Sequence, residues 1–153
     1  MASLIPLSFA QLQIWLLDRM SPGTLAYNMP VGYRLSGPID YVALEKSLNG
    51  VIRRHASLRT TFAVIEGEPR QIIHPPYRVA IRTMHLDNHP AGTREQRLQD
   101  LISQELQTHF DLERLPLIRV TLFKLEERDH LLLINLHHIL ADGTSLSVML
   151  RSK

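Results

Sequence analysis

The 153-residue sequence contains no cysteine, and this absence removes two kinds of site. Neither a disulfide framework nor a thiolate metal centre can form, which suits a protein of the cytoplasm. Long apolar runs are also missing, since residues 131–134 form a run of only four, whereas a membrane-spanning helix needs about 20 residues. The first residues lack the basic segment and long apolar core of a secretory signal peptide. We therefore expect a cytoplasmic protein that does not interact with a membrane.

An excess of charge of one sign is missing as well. The 17 basic residues face 15 acidic ones, for a formal net charge of +2, and the basic residues do not cluster beyond Arg53 and Arg54. A surface that follows a phosphate backbone needs such a cluster, so we expect no nucleic-acid partner. The apolar fraction of 44% is enough to bury a core, and the length fits one domain or one lobe of a larger unit.

Capping patterns mark the starts of the predicted helices. Ser8 and Gln11 form the pattern of a capping box, in which each side chain bonds the backbone N–H of the other residue, and Thr93 and Gln96 repeat the pattern. Asp40 is a candidate N-cap between them. Apolar residues every three or four positions follow each start. The predicted helices cover residues 9–20, 41–52 and 94–108, and a further helix begins at 144.

Alternating and β-branched segments predict the strands, with a probable hairpin turn at 66–69. Residues 131–136 are almost continuously apolar, which is typical of a central strand covered on both faces. The resulting fold class is α+β, a two-layer arrangement of helices packed on a mixed sheet. The last helix would stop after about two turns at residue 153, so we expect a chain truncated at its C-terminus. The predicted strands cover residues 29–36, 58–65, 70–74, 79–83, 117–125 and 130–138.

Residues 137–143, HHILADG, carry the clearest chemical signal. His137 and His138 stand at the exit of a buried strand, with Asp142 and Gly143 on the loop that follows. An imidazole with a pKa of about 6.5 can take or give a proton at neutral pH, and a glycine lets the backbone approach a substrate closely. Taken alone, His138 fits a structural strand-end histidine as well, or with Asp142 a metal ligand pair, although no cluster supplies the remaining ligands.

Three segments, in order, resemble the signatures of the condensation domains of nonribosomal peptide synthetases. Residues 8–15, SFAQLQIW, are similar to SxAQxR followed by an apolar and an aromatic residue; residues 54–62, RHASLRTTF, to RHExLRTxF; and residues 137–143 match HHxxxDG. The sequence departs from them at Gln13, where the family has Arg, and at Ala56, where it has Glu. If those two residues pair in relatives, losing both leaves no lone buried charge.

The resemblance implies a fold, a reaction and partners. The chain would be the N-terminal lobe, residues 1–153, of a condensation domain with a chloramphenicol acetyltransferase-like fold. Such a domain forms an amide bond between aminoacyl or peptidyl thioesters carried on the phosphopantetheine arms of carrier proteins, and the chain itself would bind no cofactor or metal. The expected partners are the C-terminal lobe of the same domain, the upstream and downstream peptidyl carrier proteins and the adenylation domain of the module. Because the family's active site lies between two lobes, we expect this chain alone to be inactive.

The resemblance also implies roles for five residues. His138 matches the active histidine, His137 belongs to the same catalytic group in a supporting role, and the backbone amide of Gly143 lies near the substrate carbonyl. Asp142 pairs with Arg59 and holds the loop structurally rather than by taking part in the reaction.

Related functions remain open alternatives. Epimerisation domains and stand-alone acyltransferases share the superfamily. Cyclisation domains do too, but they carry aspartates where this chain has His137 and His138, which argues against them. A non-catalytic role, as a subdomain on which a carrier protein docks, is the alternative from a different class.

Overall fold

The computed structural model describes residues 3–140 of the chain, and the helices predicted in this range are present. A short 3₁₀ helix, Ala56–Arg59, follows the second α-helix directly. The predicted helix that begins at 144 lies outside the described residues. The α-helices are α1 (Phe9–Met20), α2 (Tyr41–Arg54) and α3 (Ala91–Leu106).

The described strands form two sheets. The larger sheet has the order β2-β7-β6-β5, in which β5 runs parallel to β6 and the other neighbours are antiparallel, so the sheet is mixed as predicted. The smaller sheet is antiparallel, with the order β1-β4-β3. Helices and mixed sheet together confirm the α+β class. The strands are β1 (Ser3–Pro6), β2 (Asn28–Ser36), β3 (Thr60–Ile65), β4 (Glu68–Ile73), β5 (Arg82–His85), β6 (Ile118–Glu126) and β7 (Asp129–His137).

Strand β7 lies at the centre of the larger sheet and is covered on both faces. Ile134 and Leu136 join the core cluster that contains Trp15 of α1 and Ile52 of α2. Leu133 points to the opposite face and packs in a second cluster with side chains of α3. Each fully buried side chain of this size contributes about 1.5–3 kcal/mol. The prediction of a central strand is confirmed, and its burial gives the residues at its end a rigid base.

Two of the predicted helix starts are confirmed in detail. Ser8 Oγ accepts a hydrogen bond from Gln11 N at 3.2 Å, and Gln11 Oε1 accepts one from Ser8 N at 2.9 Å, which is the complete capping box. Asp40 Oδ1 accepts a bond from Ala43 N at 3.0 Å at the start of α2. Both caps satisfy N–H groups that have no partner within the helix.

The predicted capping box at Thr93 is wrong. Helix α3 begins at Ala91 with Pro90 as its N-cap. The Pro90 carbonyl accepts bonds from Thr93 N and Arg94 N, both at 3.0 Å, and the Thr93 hydroxyl donates to the same carbonyl at 3.1 Å. Thr93 is therefore already helical and cannot take the extended conformation that a cap requires.

The small sheet and the strand shifts also differ from expectation. Strand β1 was not predicted, because four residues ending in a proline give little strand signal. The strand expected at 79–83 begins only at Arg82, since Asn49 of α2 bonds both the N–H of Val79 (2.7 Å) and its carbonyl (2.9 Å). A backbone held in this way by a side chain cannot pair in a sheet ladder.

A search of residues 3–140 finds no helix with the length and hydropathy needed to cross a membrane.

Candidate active site

His138 follows directly after β7 and is held by its backbone while its side chain is exposed. Its N–H donates to the Tyr27 carbonyl at 2.7 Å, and Leu140 N donates to the His137 carbonyl at 3.1 Å, which closes a tight turn. Ile139 and Leu140, the next two residues, are buried in the first core cluster. The imidazole of His138 is thus presented to the surroundings from a turn that is fixed on both sides.

His137 is buried, with 2% of its surface exposed. Its Nδ1 accepts a hydrogen bond from Ile139 N at 3.1 Å. The rings of Tyr27 and Phe110 flank it, with centroids 6.1 and 6.4 Å away. Burial lowers the pKa of His137 below the ordinary value, and the nearby His138 lowers it further, against the opposing influence of Asp18. His137 is therefore neutral at neutral pH, and its contact with the turn supports a holding role.

Arg59 binds backbone carbonyls in the described part of the chain. Its Nε donates to the Ile52 carbonyl at 3.2 Å, near the end of α2, and its Nη1 donates to the His74 carbonyl at 2.5 Å, just after β4. The backbone of Arg59 also accepts a bond from His74 N at 2.8 Å, and His74 Nε2 lies 2.7 Å from Thr61 Oγ1. One guanidinium thus joins the end of α2 to the small sheet.

Asp142 and Gly143 lie outside the described residues. The pairing of Asp142 with Arg59 and the placement of the Gly143 amide near a substrate therefore stay predictions.

The first signature has a structural explanation in the described residues. Besides completing the capping box, the Gln11 amide exchanges two hydrogen bonds with the Gln71 amide of β4, at 2.8 and 3.3 Å. Gln71 also donates to the Pro6 carbonyl at 3.0 Å. Gln11 thereby fixes α1 against the small sheet. Gln13 is exposed and Ala56 is half-buried, and the suggestion that a pair is lost between these two positions stays a prediction.

Sequence reasoning missed three residues that touch the candidate site. Tyr27 holds the backbone of His138, His74 is bridged by Arg59, and Asp18 on α1 lies 3.6 Å from the ring of His137. No local pattern marks them, because each acts through a partner distant in the sequence. Asp18 alone carried a usable signal, since it is a charged residue next to the apolar stripe of α1.

The described residues give no sign of a metal centre or an enclosed pocket at His138. Within 3–140 no three His, Asp or Glu side chains are grouped so that they could hold a metal ion. A cavity of about 370 Å³ lies along β6, and its lining includes Arg82, Glu105 and Arg119 but neither His137 nor His138. The face that carries His138 is therefore open in this chain.

Comparison with known proteins bears on the whole chain. The condensation domain family matches residues 1–152. The chain is 40% identical over 145 residues to a protein of the linear gramicidin synthase of Brevibacillus parabrevis, and 38% identical over 147 residues to the malpinin synthetase of Mortierella alpina; these matches cover 95% and 96% of this chain but only 3% and 2% of those proteins. The structure resembles the first condensation domain of the calcium-dependent antibiotic synthetase in complex with a substrate analogue, with a TM-score of 0.86 and 27% identity, over 96% of this chain and 35% of that one. The chain belongs to the condensation domain family of nonribosomal peptide synthetases, and it spans about a third of the solved domain that it resembles.

Proposed function

We propose that this chain supplies the histidine-bearing half of a condensation active site, in which an amide bond forms between two carrier-bound aminoacyl or peptidyl groups. The observation that carries the proposal is the arrangement at the end of β7. His138 has an exposed imidazole and a fixed backbone, while its neighbours on both sides are buried. A general acid or base must reach its substrate from a constrained position, and this arrangement provides both conditions.

The reaction is aminolysis of a thioester. The amine nitrogen of the acceptor attacks the thioester carbonyl of the donor, a C–N bond forms, the C–S bond breaks, and the donor's phosphopantetheine leaves as a thiolate. The attacking nitrogen loses one proton, and the thiolate finally gains one. His138 takes the proton from nitrogen as the zwitterionic intermediate collapses and can return it to the leaving sulfur.

Proton removal before attack is a minor difficulty. A free α-amino group has a pKa of about 7.7–8.0, so roughly a tenth is neutral at pH 7. The main work of His138 is therefore to orient the amine and to accept its proton late. General base assistance of this kind accelerates a reaction by about 10²–10⁴-fold.

The loop after the turn completes this half of the site. The amide of Gly143 stabilises the oxyanion that develops on the thioester carbonyl. Asp142 pairs with Arg59, whose guanidinium already joins α2 to the small sheet, and thereby fixes the loop. Asp142→Asn should lower folding yield or stability at least as much as the rate, whereas a fully stable and inactive variant would show that Asp142 takes part in the chemistry.

Two observations support an incomplete site that needs a second lobe. The chain covers 35% of the solved condensation domain that it resembles. Helix α1 also exposes large apolar side chains: Phe9 and Met20 are each 78% exposed, and Leu16 and Leu17 nearly half. A patch of this kind is typical of a covered interface. The partners are the C-terminal lobe of the domain, the two peptidyl carrier proteins that deliver the substrates and the adenylation domain of the module, and the isolated chain is inactive.

The test uses the chain extended through the remainder of its domain. This protein is mixed with donor-loaded and acceptor-loaded carrier proteins, and the carrier-bound dipeptide is detected by intact mass spectrometry. We expect product with the extended protein and none with residues 1–153 alone. His138→Ala should lower the single-turnover rate by about 10²–10⁴-fold.

His85→Ala is the matched control, because the His85 side chain is 58% exposed and lies on β5 at the edge of the sheet. It should leave the rate unchanged. A full rate in the His138→Ala protein would overturn the role of His138, and an extended protein that joins no substrate pair would favour epimerisation or carrier docking instead.

A further inference from the structure

The bond between Ile139 and His137 determines where the proton of the His137 ring must be. Ile139 N donates to His137 Nδ1 at 3.1 Å within the core. Nδ1 can accept only when it carries no proton, so the single proton of the neutral ring is on Nε2. A ring with the other tautomer, or a protonated ring, would lose this bond and release the turn that carries His138.

The Nε2 atom of His137 therefore needs an acceptor. It is buried and has no hydrogen-bond partner among the residues that the structure describes. The Asp18 carboxylate is near it, with Oδ1 at 3.6 Å, slightly longer than a hydrogen bond and within the range of an ion pair. A donor left unpaired in the interior is costly, and a small side-chain rotation of Asp18 would close the gap.

The surroundings favour this contact. The aromatic rings of Tyr27 and Phe110 flank His137 and exclude water from it. The Asp18 side chain is 20% exposed, so it reaches the ring from the edge of the core. Within the described part of the chain, two titratable groups act on His137: Asp18, which attracts its proton, and His138, which opposes it.

We propose that Asp18 is a positioning residue, whose carboxylate accepts the hydrogen bond of His137 Nε2 and thereby holds the tautomer that lets His137 Nδ1 fix Ile139 and present His138. The chain of contacts runs from α1 through the buried ring to the turn. As far as it concerns catalysis, this inference rests on the proposed function of His138. The tautomer itself does not depend on that function.

The first measurement is nitrogen NMR of the ¹⁵N-histidine-labelled extended protein, with the His137 signals assigned by their loss in His137→Phe. We expect a protonated Nε2 and an unprotonated Nδ1 at pH 7. Asp18→Leu should convert this single state into a mixture of tautomers. Asp18→Asn, which is nearly isosteric and keeps one acceptor oxygen, should retain the wild-type tautomer.

The second measurement is the rate of amide formation in the same proteins. Asp18→Leu should lower kcat by about 10- to 100-fold, as expected for losing a hydrogen bond to a charged group. KM should change little, because Asp18 does not touch the substrate. Asp18→Asn should fall between Asp18→Leu and wild type, and this rescue distinguishes a hydrogen-bonding role from loss of packing.

Asp129→Asn is the matched control. Asp129 lies at the opposite end of β7, its side chain is 29% exposed, and it accepts two hydrogen bonds from Arg34. This variant should keep the wild-type His137 tautomer and kcat.

A wild-type His137 that carries its proton on Nδ1 would overturn the inference, and so would an Asp18→Leu protein with an unchanged tautomer and rate. If the extended protein makes no amide at all, the proposed function fails, while the NMR result still decides the role of Asp18.

Discussion

Strand β7 carries two buried histidines, one near each end, and comparing them shows what distinguishes a functional position. His130 is 1% exposed and His137 is 2% exposed. Burial lowers the pKa of both below the ordinary value, and each has one ring nitrogen without a hydrogen-bond partner in the described part of the chain, Nδ1 of His130 and Nε2 of His137. By these criteria the two residues are equivalent.

The difference lies in what each ring holds. His130 Nε2 lies 3.4 Å from the Tyr41 hydroxyl, a contact between two side chains. His137 accepts a bond from the backbone of Ile139 and so controls the turn that exposes His138. Burial and a lowered pKa therefore do not by themselves mark a site. A bond from a buried ring to the backbone beside an exposed chemical group does.

Breaking the His137 bond should have the largest effect. His137→Phe keeps the packing against Tyr27 and Phe110 but cannot accept from Ile139, so the rate of amide formation in the extended protein should fall by about 10- to 100-fold. His137→Asn retains an oxygen near the position of Nδ1 and should recover part of the rate. Equal rates for wild type and His137→Phe, measured in single turnover, would remove the distinction between the two histidines.

Arg59 offers a test of support at a distance from the ring. Arg59→Met removes two bonds from a charged donor to the carbonyls of Ile52 and His74, and the free energy of unfolding should fall by about 2–4 kcal/mol. Arg34→Met is the control, because Arg34 forms a surface ion pair with a side chain 59% exposed and should cost less than about 1 kcal/mol. Urea unfolding monitored by circular dichroism measures both, and a cost for Arg59→Met as small as the control's would show that the two carbonyl bonds contribute little.

The pH dependence of stability should be a smaller effect shared by both histidines. Each has a folded-state pKa below its unfolded value of about 6.5. The unfolded chain therefore binds more protons below that pH, so stability is complete above pH 6.5 and declines as the pH falls through the folded pKa. The free energy of unfolding should be lower at pH 5.5 than at pH 7.5.

Replacing either His130 or His137 by Phe should flatten this dependence. Asp87 and Asp129, whose pKa values are lowered, add a separate loss of stability only below about pH 4. A stability that rises on acidification from pH 7.5 to 5.5 would contradict the neutral, buried state of both rings.

Much of the fold was predictable because the signals are local. The capping box at Ser8, the N-cap at Asp40 and the apolar run of β7 each act within a few residues, and all three are confirmed. The boundary at Val79 was not predictable, because a distant side chain, Asn49, takes its backbone hydrogen bonds. Local patterns contain no information about such captures.

The candidate site divides in the same way. His137 and His138 could be placed at a strand exit from the sequence, and the structure puts them there. The contacts from Tyr27 and Asp18 come from residues more than a hundred positions earlier in the chain, and only the folded sheet and α1 bring them together. The roles expected of Asp142 and Gly143 rest on the family resemblance and stay predictions.

The most direct test compares His138→Ala with His130→Phe in the extended protein, measuring the single-turnover rate of amide formation and the free energy of unfolding in each. The account predicts that His138→Ala loses about 10²–10⁴-fold in rate with stability within about 0.5 kcal/mol of wild type, because the side chain is exposed. It predicts that His130→Phe changes stability and leaves the rate of the folded protein unchanged. Catalysis that survives His138→Ala but is lost in a well-folded His130→Phe protein would contradict the assignment of the active end of β7.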